Sequence, residues 1–390
     1  MLIGVSFASA QTKLTIDAGE VARGNSPVAA RIEGANVAAG GVTLVDAGGK
    51  EVEGQVNVEA GGVAMVRWIE PELAAGKSRT YAIQKSETNS QGFRFKDGDG
   101  VRDLLYGNTP VWRDMIKYDP ADHANTFKPF QHIYAPGGGE GDFITKGADG
   151  KYPHHRGIFF GFKAHDGDNL LGDFWHCPDV SQRHVKYLTE AEFVGPIAAR
   201  CAAVTDWIGK DGKTAVVRDT RTETTWRVSP DTLLLDYEIS IESLIGKPIK
   251  LEGDAHHAGF HFRAAQEVAQ TKGVDGKEGS ATYLRPATAK HMGNDIWSDC
   301  AWTICAFDVK GKHYEVTLLD HQSNPRPTTF STRPYGRFGA FFTADVQRGS
   351  SLRVRYRVII RSGEASAGGT SRAEAASQDF AKVKAGSVKH

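Results

Sequence analysis

Thr232-Leu233-Leu234-Leu235-Asp236-Tyr237-Glu238-Ile239-Ser240-Ile241-Glu242 places Leu233, Leu235, Tyr237, Ile239 and Ile241 on one side of an extended chain. Asp236, Glu238, Ser240 and Glu242 fall on the other side. A period of two is the mark of an antiparallel strand with one buried and one wet face. Leu352-Arg353-Val354-Arg355-Tyr356-Arg357-Val358-Ile359-Ile360-Arg361 repeats the pattern with its arginines outward. Several such strands from about residue 100 onward predict an all-β fold, a large antiparallel β-sandwich with one continuous core over 100–365.

Outward from that core, the flanking regions read differently. Lys13–Ile16, Val42–Val45, Val63–Trp68 and Arg79–Ile83 are short strands separated by turns such as Ala47-Gly48-Gly49, which predicts a small N-terminal β-sandwich over 12–90. Lys85 to Asp99 reads as a linker, and 366–390 as a C-terminal helix and tail whose helix runs from Ser371 to Ala385. The first eleven residues, ending Ala8-Ser9-Ala10-Gln11, resemble the remnant of an export signal, hence an expected periplasmic or secreted location. The alternative for them is an ordinary first strand.

Composition excludes some classes of function. Lys+Arg and Asp+Glu are both 47, so no excess charge points to nucleic acid. No run reaches the ~20 apolar residues of a membrane span. Cys177, Cys201, Cys300 and Cys305 match neither a zinc ribbon nor a CxxC motif and read as buried free thiols.

The chemistry concentrates in histidine. Tyr152-Pro153-His154-His155-Arg156-Gly157 forms one group, Asp173-Phe174-Trp175-His176 a second, and Asp254-Ala255-His256-His257-Ala258-Gly259-Phe260-His261-Phe262-Arg263 a third. A fourth, Asp320-His321-Gln322-Ser323-Asn324-Pro325-Arg326-Pro327, is followed by Thr332-Arg333-Pro334-Tyr335-Gly336. Imidazoles titrate near neutral pH and serve as acids and bases. Neutral imidazole also ligates divalent metals, but no compact ligand motif occurs, so a metal site would be assembled from distant strands. The third reading is structural, with the rings bonding turns and loops. Aromatic faces with planar donors beside them suit a small-molecule carbohydrate as the partner.

Lys128-Pro129-Phe130, the His154–His155 loop, Asp173-Phe174-Trp175, the Asp320–Pro327 segment and Thr332–Gly336 occur in the same order as in the so-called PmoA-like domains. That bacterial family, often labelled methane oxygenase, is similar to this chain over roughly 105–361. The extra His256-His257 pair departs from its usual pattern. The resemblance implies a β-supersandwich like that of the galactose mutarotases, and carbohydrate work.

The expectation is an exported enzyme acting on a sugar or keto-glycoside as a lyase or hydrolase. A C3 ketone acidifies the C2 proton, which a histidine abstracts. His154, His155, His257 and His261 are the candidate acids and bases. Arg156, Trp175, His176, Arg263, His321, Asn324, Arg333 and Tyr335 are the candidate substrate contacts, with no cofactor required beyond the open question of a divalent metal. A mutarotase-like epimerase, with Asp173, Asp254 or Asp320 as base, and a non-catalytic carbohydrate-binding protein are the alternatives.

Overall fold

A computed structural model describes residues 13–32, 39–59, 61–86, 91–273, 275–363 and 368–382. The expected export signal lies outside the described residues. The chain is all-β, with four antiparallel sheets of ten, eight, six and four strands.

The opening strand occupies Thr232–Ser243 and pairs antiparallel with Ser351–Ser362, Tyr237 facing Tyr356 and Ile239 facing Val354. Both belong to the eight-stranded sheet. Leu235, Ile239, Ile241, Val358 and Ile360 all lie in the main core, as alternation requires. The other face is less wet than alternation suggests. Leu234 and Trp226 on it pack with Ile197 and Ala198 against Ala29 and Ile69 of the N-terminal strands. Further along, Trp302, Ile304 and Leu319 are covered by Ala373, Ala376 and Phe380 of the C-terminal helix Gly369–Lys382. A strand flanked by further modules is apolar on both faces, which explains the otherwise idle Leu234.

The N-terminal strands form one six-stranded sheet with its own core around Leu44, Val56, Val66, Trp68 and Tyr81. Two of its strands, Arg23–Ile32 and Glu51–Glu59, escape sequence reading because Pro27 and Gly54 interrupt the β-branched pattern. Part of the expected linker is also a strand: Phe93–Gly98 pairs with Val101–Tyr106 at the edge of the ten-stranded sheet. All four cysteines are free and buried.

The ten-stranded sheet positions the histidines. In its centre run Phe130–Ile133, Ile158–Gly161, Gly259–Arg263, Arg337–Phe341 and Thr329–Arg333. Ile158, Phe160, Phe260, Phe262, Phe338 and Phe330 turn into the core. The alternate residues therefore make a row on the outer face, in which Phe159 lies opposite His261, His261 opposite Gly339, and Gly339 opposite Ser331. Two glycines make that row fit. A Cβ on Gly157 would lie 2.1 Å from the Gln131 carbonyl oxygen, and its φ of +49° suits glycine. A Cβ on Gly339 would strike the His261 ring at 2.3 Å.

Candidate functional site

Above the row Phe159–His261–Gly339–Ser331 sits a cluster of imidazoles delivered by three loops. The Tyr152–Arg156 loop supplies His154 and His155, the turn after Asp173 supplies His176, and the turn after Asp254 supplies His256 and His257. Ring centroids stand 4.7 Å apart for His154–His176, 5.1 Å for His176–His257 and 6.4 Å for His154–His257. His155 lies 4.1 Å from His154 and 6.4 Å from His257. The expected convergence of the two His-His loops is present.

Two of these turns are built alike. Asp173 Oδ1 accepts from the backbone N–H groups of Trp175 and His176, and its Oδ2 meets His176 Nδ1 at 2.9 Å. Asp254 Oδ1 accepts from His256 N, and its Oδ2 meets His257 Nδ1 at 3.1 Å. In each, an Asp folds the backbone as an Asx turn and then holds the histidine three residues on. The carboxylate on Nδ1 leaves Nε2 as the reactive nitrogen. Against burial, which raises it, the bonds from His176 bring Asp173 down to about 2. Burial likewise opposes but does not prevent a lowering at Asp254. His176 and His257 are also the accessible pair, with side chains 35% and 41% exposed.

Beneath them lie two buried basic side chains. Lys128 is buried, donates to the Trp175 carbonyl at 2.6 Å, and lies 4.4 Å from the Phe159 ring centroid. Burial pushes it down to about 7. Arg337, also buried, donates to Ser331 Oγ and faces His261 Nδ1 and His256 Nδ1 at 3.3 Å each. Burial and then Lys128 drive His154 down to about 3. Burial and then Arg337 bring His256 down to about 4 and hold His155 and His261 well below the usual range. Burial disfavours the charged imidazole, and neighbouring cations add to it. The imidazoles of His154, His155, His256 and His261 are therefore neutral beside the buried Arg337 and Lys128.

The candidates divide accordingly. Tyr335 and Tyr152 form an aromatic wall, stacked with centroids 5.4 Å apart, and Tyr335 stands 6.1 Å from His155. His155 is buried with both ring nitrogens unpartnered among the described residues. His261, expected among the acids and bases, and Trp175, expected as a substrate contact, are both fully buried and make the floor instead. Nε2 of His261 meets the Ala258 carbonyl at 2.9 Å. Arg156 is not a clamp: it donates to the carbonyls of Pro153, Asn125 and Ala124 and so holds the loop. Arg263 donates to the carbonyls of Ala264 and Tyr335, supporting the tyrosine from below. Arg333 is partly exposed and donates to the Asn294 carbonyl at 2.9 Å.

His321 and Asn324 do not join the cluster. His321 packs on Phe380 of the C-terminal helix, with centroids 4.9 Å apart. Asn324 donates to Asp320 Oδ1 and to the Arg355 carbonyl, organising that turn. Sequence reading missed Lys128 and Arg337 as the site's cations. Each stands in a quoted motif or directly after one, but a lone basic residue carries no local signal of burial. A cavity of about 620 Å³ lies elsewhere, lined by Ser26, Thr232, Arg357 and Asp379 between the N-terminal strands and the C-terminal helix.

No curated protein sequence matches this chain. Among solved structures, a putative kojibiose phosphorylase from human microbiome is similar with a TM-score of 0.28 and 7% identity, over 70% of this chain. This chain spans about a third (35%) of that protein's length. A family model matches residues 102–375, the sandwich together with the first part of the C-terminal helix, and its description bears no methane-oxygenase name. The chain belongs to that family, a family of unknown function (DUF6807).

Proposed function

We propose that the chain is a carbohydrate-active enzyme, working on a sugar or keto-glycoside by histidine-mediated proton transfer. The observation that carries this is the pair of carboxylate-held histidines, His176 and His257, with ring centroids 5.1 Å apart and both side chains accessible. Two positioned imidazoles allow one to take a proton and the other to give one.

The roles differ from those read in sequence. Of the expected acids and bases, the accessible His257 acts as base. Its Nε2 takes the C2 proton of a 3-keto sugar, and Asp254 stabilises the imidazolium that results. His176, held by Asp173, delivers a proton to the C1 substituent as it leaves. The enolate forms over the buried Arg337 guanidinium, whose charge favours an anion. Tyr152 and Tyr335 offer their faces to the C–H side of a sugar ring. Export to the periplasm or beyond remains part of this proposal.

The test is incubation with 3-keto and unmodified disaccharides, read by mass spectrometry. A new product is expected from the keto-glycoside. The His257→Ala and His176→Ala variants are expected to lower turnover by about 10²–10⁴-fold. Binding of glycans without any product would support the non-catalytic alternative, and unchanged turnover in both variants would remove these assignments.

A further inference from the structure

We infer that the site cleaves keto-glycosides by syn elimination, and so selects substrates whose C2–H and C1–O bonds lie on one face of the sugar ring. In the gluco and galacto series these are the β-anomers. The inference deepens the proposed function by naming the substrate class of the same pair of histidines, and it rests on that reading.

Separation is the first argument. A base on C2–H and an acid on the C1 oxygen each stand about 3 Å from the atom they serve. In an anti elimination they work from opposite faces of the ring. Two such reaches with the C1–O bond between them put the nitrogens roughly 7 Å apart and pointing at each other, with the ring centroids farther apart still. His176 and His257 have centroids only 5.1 Å apart. Nitrogens facing each other across that gap would be within hydrogen-bonding reach of one another, and no sugar fits between them. In a syn elimination the two atoms served are neighbours on one face, and imidazoles set side by side reach both.

Orientation is the second. Asp173 meets His176 Nδ1 at 2.9 Å and Asp254 meets His257 Nδ1 at 3.1 Å, so both rings are held at the same nitrogen and offer Nε2. Burial is the third. Both rings are partly exposed, whereas His155, His261 and Trp175 beneath them are buried. A third ring, His154, stands 4.7 Å from His176 and 6.4 Å from His257. A substrate therefore lies across the pair from the solvent side, whichever ring is the base. With His257 as base, its Nε2 takes the C2 proton and the C–H electron pair enters the ketone as an enolate. That pair then forms the C1=C2 bond as the C3 ketone is restored. The C1–O pair departs with the leaving oxygen, which takes the proton that His176 carries. An enone and a free alcohol result. His257 ends protonated and His176 neutral, solvent returns one proton to each state, and no oxidant or further reactant is needed.

The test uses the whole chain and two disaccharides oxidised to the ketone at C3 of the non-reducing ring, cellobiose with its β-linkage and maltose with its α-linkage. Each is incubated in D₂O, with an enzyme-free blank subtracted. Cleavage is read by mass spectrometry and exchange of the C2 hydrogen by NMR. The β-linked ketone is expected to be cleaved faster by about 10²-fold or more, the contribution of one positioned acid. The α-linked ketone is expected to exchange its C2 hydrogen without matching cleavage, because the base reaches it and the acid does not. Equal cleavage of both, or a preference for the α-linkage, overturns the inference and leaves the enzyme reading standing. Exchange in both without cleavage of either also overturns it, since the shared acid is then missing. The absence of both exchange and cleavage in either substrate removes the enzyme reading, and the inference falls with it.

Discussion

Glu223 is the residue whose environment departs furthest from what its type suggests. It lies in the sandwich core, where Gln131 Nε2 donates both to its Oε2 at 2.5 Å and to Asp114 Oδ1 at 3.0 Å. Thr225 and Tyr187 complete the network at 2.6 and 3.0 Å. Burial, and then the neighbouring Asp114, raise Glu223 to about 8, and burial raises Asp114 to about 6. An acid whose folded pKa is raised binds more protons folded than unfolded. Its stabilising contribution is complete below the unfolded pKa of about 4.3 and fades as pH rises through the folded value. The Glu223→Gln variant should therefore lose less stability than the parent between about pH 5 and 8, as measured by denaturant melts at each pH. An equal slope in both proteins would show that the fold does not raise the pKa of Glu223. Nothing local announced this pair, because Glu223 sits at an ordinary alternating position of a strand that pairs on both sides.

At the scale of elements, strands were legible and the loops' destinations were not. Period-two alternation is a property of a few neighbouring residues, so Thr232–Ser243 and Ser351–Ser362 could be read directly. Of the third histidine group, strand Gly259–Arg263 carries His261, while His256 and His257 lie in the turn before it. Only His261 is on the strand, and for that reason it is buried while His257 is accessible. Strand Ile158–Gly161 depends on the residue before it. Gly157→Ala forces a Cβ against the Gln131 carbonyl at a backbone angle suited to glycine. It should destabilise the chain by about 4 kcal/mol or more, among the largest single-residue effects. A thermal melt decides it: a change under about 1 kcal/mol would mean the loop carrying His154 and His155 is free to shift.

At the scale of the whole molecule, one of the side chains joining the N-terminal sheet to the sandwich acts as backbone. Buried Gln55 accepts from the N–H groups of Ile197 and Ala198 at 2.8 Å each and donates to the Ala198 carbonyl at 3.1 Å. Leu234 and Trp226 supply the apolar part of the same junction. Removing the amide leaves buried backbone donors unsatisfied, each costing about 1–3 kcal/mol. Gln55→Ala should accordingly lower the melting temperature or split the melt in two. Because the junction lies behind the eight-stranded sheet, away from the histidines, any turnover should persist below the new transition. Loss of turnover without loss of stability would contradict that separation.

The sequence by itself determined the all-β class, the large sandwich, the C-terminal helix and the identity of the histidine-rich loops. Each of these rests on local periodicity, turn chemistry or composition. Only the tertiary structure decided which histidines face one another, which are floor, and which of the arginines are spent on carbonyls. The row Phe159–His261–Gly339–Ser331 joins residues from four strands through antiparallel registers that no short stretch encodes. Non-local packing likewise places Lys128 and Arg337 under the cluster and His321 against the C-terminal helix. Side-chain burial is set by non-local pairing, and it separates the accessible His176 and His257 from the buried His155 and His261.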